Sequence, residues 1–119
     1  MRWVLVLAVL ASPVWAGDKL DGAGITEALT GRVLRYGDGT TQSFMADGKT
    51  VFATKDGRQS IGHWRVQAGR YCSVWPPSDH WACYGVRQEG ADIAFAADDG
   101  SIAAAKDITG IRTGPTGLY

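Results

Sequence analysis

Net charge is what this chain most plainly lacks: twelve Lys and Arg are set against twelve Asp and Glu in 119 residues. A balanced domain has no electrostatic footprint for nucleic acid or for an anionic membrane surface. Only two cysteines and two histidines are present, and no Cys-x-x-Cys or His-x-x-x-His spacing joins them. No metal site and no cofactor is therefore expected. No Gly-x-Gly-x-x-Gly opens a helix after a strand, which excludes that kind of phosphate cradle. The first apolar run, Trp3 to Leu10, falls far short of the ~20 residues a membrane-spanning helix needs.

That short run has another explanation. Arg2 supplies a positive start, Pro13 breaks the run, and Val14-Trp15-Ala16 makes a small-residue cleavage site before Gly17. This is the anatomy of a secretory signal peptide over 1–16, with a single domain over 17–119. No cysteine follows the run directly, which argues against a lipid anchor. Cleavage would remove Arg2 and leave eleven cations against twelve carboxylates, a net charge of −1. The mature domain is expected in the periplasm or secreted, with no membrane contact after cleavage. In such a compartment Cys72 and Cys83 read as one disulfide.

Glycine is plentiful, with sixteen in the chain, and it falls at turns. Asp-Gly recurs at Asp38-Gly39, Asp47-Gly48 and Asp56-Gly57, and again at Asp99-Gly100. Asp-Gly is a strong signal for a two-residue type I′ hairpin, whose central residues both need positive φ. With Ala68-Gly69, a Pro-rich loop at 76–79 and Glu89-Gly90, these turns separate eight strands near 32–37, 40–46, 49–55, 58–67, 70–76, 80–88, 91–98 and 101–105. No connection is long enough for a parallel crossover. Ahead of them lies a loose lead-in at 17–23 and a short helix over about 22–30. Asp21 caps that helix, Ile25, Ala28 and Leu29 form its apolar face, and Gly31 ends it.

Two-residue turns pair residues symmetrically about themselves. On that register Val33, Phe44, Val51, Trp64, Tyr71, Tyr84, Phe95 and Ile102 share an apolar face. Thr50, His63, Arg65 and Asp92 fall on the opposite, polar face, with Leu34, Met45, Phe52, Ile61, Val74 and Trp81 as apolar exceptions. The same arithmetic sets Cys72 opposite Cys83 across the Pro76-Pro77 hairpin, close enough to bond. The fold expected is all-β: an eight-stranded antiparallel meander, a closed or partly closed calycin-like barrel with one short N-terminal helix. Large inward residues alternate with small ones (Ser60, Gly62, Ser73, Ala82). That alternation suits interdigitated packing and also a shallow pocket.

Around these features the chain resembles a family of small exported proteobacterial proteins carrying a domain of unknown function. The matching motifs are Leu29-Thr30-Gly31, Asp38-Gly39-Thr40, Gly62-His63-Trp64-Arg65-Val66, Cys72 with Trp75, Cys83-Tyr84, and the tail Thr113 to Leu118. The resemblance spans about 20–118 and implies no activity and no catalytic residues.

No catalytic set emerges from the residues themselves. Ser78, Asp79 and His80 are sequence neighbours on one loop, whereas a triad is assembled in space from separate elements. Asp98 and Asp99 are adjacent, and Asp99 is already explained by its turn. No enzymatic activity is expected. Of the tryptophans past residue 16, Trp64 suits the core, while Trp75 and Trp81 flank the Pro loop. With Arg70, Tyr71 and His80 they make a candidate binding patch on a stapled hairpin at 70–86, because aromatic and Arg side chains dominate interface hot spots. The first functional expectation is thus an exported binding or interaction module with an unknown protein partner. The alternatives are a carrier of a small apolar ligand held inside the barrel, or an inhibitor of a periplasmic or host hydrolase such as lysozyme.

Overall fold

Strands follow one another round a ring that closes on itself. The computed structural model describes residues 17–110, so the signal segment expected at 1–16 and the tail from 111 onward lie outside the described residues. β1 (Asp18–Lys19) precedes α1 (Gly22–Leu29). Then come β2 (Val33–Tyr36), β3 (Thr41–Phe44), β4 (Lys49–Ala53), β5 (Gln59–Gln67), β6 (Arg70–Val74), β7 (Ala82–Glu89), β8 (Asp92–Ala96) and β9 (Ile102–Asp107). From β2 to β9 each strand pairs antiparallel with the next. β9 then pairs with β2, Leu34 opposite Asp107 and Tyr36 opposite Ala105. The meander is therefore a closed eight-stranded barrel, which satisfies the edges an open sheet would expose. The lead-in is not loose: β1 pairs with the far half of β7, Asp18 opposite Gln88, and the Leu20 amide donates to the Val86 carbonyl at 2.9 Å.

The four Asp-Gly hairpins share a geometry that differs from the expected one. In each, the glycine amide donates to the carbonyl three residues back at 3.0 Å: Gly39 to Tyr36, Gly48 to Met45, Gly57 to Thr54, Gly100 to Ala97. The glycines sit at φ between +89° and +94°, but Ala68 is the only non-glycine with positive φ among the described residues, so no aspartate is left-handed. Each aspartate Oδ1 instead accepts the amide two residues on, at 2.9 Å for Thr40, Lys49 and Ser101 and 3.4 Å for Arg58. That bond holds the aspartate in an ordinary turn conformation and leaves the glycine alone to bulge. These are three-residue loops, a type I turn followed by a left-handed glycine. The true two-residue turn with both φ positive is Ala68-Gly69, at +55° and +74°.

The extra loop residue moves each of these registers by one, and that corrects the face assignment. Leu34 pairs with Gln42, Gln42 with Phe52, and Thr50 with Gly62. On β2, β4 and β9 the inward set is therefore the opposite of the one expected. Leu34 and Thr50 are fully buried and Ile102 is 55 % exposed. Phe52 faces inward, while Val33 and Val51 belong to the outer wall. β5 keeps the expected register with β6, and on β3 two one-residue errors cancel, so Trp64 and Phe44 point inward as expected, at 8 % and 1 % exposure.

α1 closes one end of the barrel. The Gly24 amide donates to the Asp21 carboxylate at 2.8 Å, capping the first turn. Eight residues cannot hold a helix alone, and this one is fastened by Ile25 and Leu29, both fully buried against Leu34, Phe44, Trp64 and Ile93. Gly31 at φ +75° turns the chain into β2, its amide donating to the Phe44 carbonyl at 2.7 Å.

Candidate ligand-binding cavity

The end away from α1 is hollow. A cavity of ≈ 470 Å³ lies there, bounded by the turn ends of β2, β4, β6 and β8. Six rings pass round its wall in an unbroken chain: Trp75, Phe52, Tyr36, Phe95, Tyr71 and Tyr84. Successive centroids are 6.0, 5.8, 6.4, 5.1 and 6.0 Å apart. Such spacings and the tilts between rings are those of attractive aromatic pairs. Asp38, Ser60 and Ala103 are exposed and form the rim, whereas Gln42, Ser73, Tyr71 and Phe95 are buried at depth.

A polar knot forms the floor. Gln42, 4 % exposed, accepts from the Tyr36 hydroxyl at 2.7 Å and donates to the Tyr71 and Thr50 oxygens at 3.0 Å each. The Thr50 hydroxyl in turn donates to the Ser43 carbonyl at 2.7 Å. The knot holds two phenols of the wall in place and separates the hollow end from the filled end, where Phe44 meets Trp64 edge-on at 5.6 Å. Burial, reinforced by the neighbouring phenols of Tyr71 and Tyr84, pushes the Tyr36 hydroxyl far above its ordinary value, and burial raises Tyr71 as well. These phenols stay neutral. Among the described residues the Tyr84 hydroxyl has no hydrogen-bond partner.

Trp75 is placed by a glycine. A Cβ on Gly62 would stand 2.6 Å from the Val74 carbonyl oxygen and 2.7 Å from Trp75 Cε3. Only a bare backbone at 62 lets the indole lie against β5 at the mouth. Its Nε1 donates to Ser73 Oγ at 3.3 Å.

The candidate patch on the hairpin does not form a single surface. Tyr71 is 4 % exposed and inside the barrel, and Trp75 faces the cavity. Trp81 lies on the outer wall with the Arg65 guanidinium 3.9 Å above its ring. Arg70 donates to the Cys83 carbonyl at 3.0 Å and to Asp98 at 2.7 Å. His80 is in the exposed loop, its amide held by Ser78. Neither His80 nor the outward His63 lines the cavity. Cys72 and Cys83 are bonded, directly opposed with Cα atoms 4.0 Å apart. The disulfide points to an oxidising compartment outside the cytoplasm, and among the described residues no helix is long and apolar enough to cross a membrane.

Tyr36, Gln42 and Phe52 were not candidates on sequence grounds. Phe52 was lost to the register shift, and a buried Gln in a Thr-Gln-Ser strand has no hydropathy signal. The alternation of large and small inward residues was the one cue to a hollow. No family model matches this chain, and neither does any curated protein or solved structure.

Proposed function

We propose that this protein is an exported, non-catalytic binding protein that holds one small, largely apolar molecule inside its barrel. The observation that carries the reading is the hollow itself. Natural small-molecule sites are concave, mainly apolar and aromatic, with a few fixed polar groups, and run to about 300–1,000 Å³. The ≈ 470 Å³ cavity with six rings and a satisfied polar floor meets that description. The signal-like residues 1–16 and the disulfide support a periplasmic or secreted location.

Titration with the neutral fluorophore N-phenyl-1-naphthylamine tests this. Saturable one-to-one uptake with blue-shifted emission is expected, and Ala103→Trp, which fills the cavity from an exposed rim position, should abolish it. Native mass spectrometry of protein from its own host should show one adduct per chain that the variant lacks. Absence of both saturable uptake and adduct would overturn the reading.

A second reading is an interaction module for a protein partner. The Trp81–Arg65 stack on the outer wall beside the disulfide favours it, being a rigid aromatic–guanidinium pair of the kind that anchors interfaces. Trp81→Ala should then remove a captured partner while leaving fluorophore uptake untouched.

A further inference from the structure

The cavity wall is electrically one-sided. Among the described residues that line it, Asp38 is the only charged side chain, with no Lys, Arg or His beside it. Aromatic faces carry negative potential, and four rings (Tyr36, Phe52, Trp75 and Tyr84) line the space between rim and floor. The Asp38 carboxylate is steadied at the mouth by the Thr40 amide at 2.9 Å. Hydrogen bonds from Thr40 also hold its carboxyl below the usual carboxylate range, so it is ionised at neutral pH. Lys55, whose stem lies against Gly39, influences this carboxylate from outside the cavity. Three phenols add oxygen lone pairs and no positive charge. An anionic ligand, such as a fatty acid carboxylate, would find no cation among the described lining residues and several aromatic rings. A weakly hydrated organic cation would find both a π-lined enclosure and a counter-ion at its entrance.

We propose that the cavity selects an organic cation, a quaternary or alkylated ammonium carried on an apolar body, with the ammonium among the Tyr36, Phe52, Trp75 and Tyr84 rings and Asp38 as counter-ion. The inference rests on the reading of the barrel as a small-molecule binder, and names the class of molecule bound.

Three probes of matched shape separate the possibilities: benzyltrimethylammonium, its uncharged carbon isostere neopentylbenzene, and the anion 4-tert-butylbenzoate. Dissociation constants come from quenching of tryptophan emission. The cation should bind at least about tenfold more tightly than its isostere, the difference a desolvated cation–π site supplies, and the anion should bind most weakly. Asp38→Asn, whose amide oxygen can still accept from Thr40, and Phe52→Leu, which keeps the wall apolar, should each weaken the cation several-fold and leave the isostere unchanged. Equal or tighter binding of the isostere, or tightest binding of the anion, overturns the cation assignment and leaves the binding cavity standing. Failure of all three probes to bind overturns both.

Discussion

Gln42 does at the scale of one side chain what no hydrophobic residue could do there. Its carboxamide satisfies three hydroxyls inside a nearly water-free floor. Gln42→Leu would match its size but strand those partners, and an unsatisfied buried polar group costs about 1–3 kcal/mol. Urea unfolding should show a loss of that order, and fluorophore uptake should weaken as Tyr36 and Tyr71 lose their tether. Gly62 is the second such residue. In Gly62→Ala the new methyl meets a backbone oxygen at 2.6 Å, which cannot swing aside as a flexible side chain could. Overpacking of this kind costs about 1–3 kcal/mol. The variant should melt earlier and shift Trp75 emission to the red as the indole is pushed toward solvent. No change in either signal would mean that β6 yields without strain.

Elements explain both what could be read in advance and what could not. All eight barrel strands and the helix with its Asp21 cap and Gly31 stop follow from turn residues and periodicity, because those signals are local. The Cys72–Cys83 pairing followed too, because the Pro hairpin keeps the register assumed for it. Faces on β2, β4 and β9 did not follow, because Asp-Gly serves two turn types that differ by one residue. The choice is made by an aspartate-to-amide bond that the dipeptide alone does not announce. The bond has a measurable consequence. Bonds from the Ser or Thr two residues away, with the amide two residues on, hold the carboxyls of Asp38, Asp56 and Asp99 below the usual carboxylate range. A depressed folded-state pKa contributes stability that is present above the unfolded value and lost as pH falls through the folded one. The melting temperature should therefore decline as pH drops below about 4. The triple variant Asp38→Asn, Asp56→Asn, Asp99→Asn should flatten that decline. The disulfide closes a separation of eleven residues, and Cys72→Ser with Cys83→Ser should cost about 2–3 kcal/mol on a loop-entropy account.

At the scale of the whole molecule the barrel is divided into a filled half and a hollow half. α1 and the Phe44–Trp64 pair occupy one end, and the aromatic ring and its mouth the other. Binding to the hollow should raise the melting temperature with ligand concentration, because only the folded state holds the molecule. The three tryptophans of the described residues sample the barrel at three depths. Trp64 donates its Nε1 proton to the Met45 carbonyl at 3.0 Å in the filled half, Trp75 stands at the mouth, and Trp81 lies outside on Arg65. A ¹H–¹⁵N correlation titration with N-phenyl-1-naphthylamine therefore tests the cavity most directly. The Trp75 indole resonance is expected to move with the Gln42 and Phe52 amides while the indole resonances of Trp64 and Trp81 stay in place. Movement confined to Trp81 and the outer wall, with Trp75 unmoved, would contradict it.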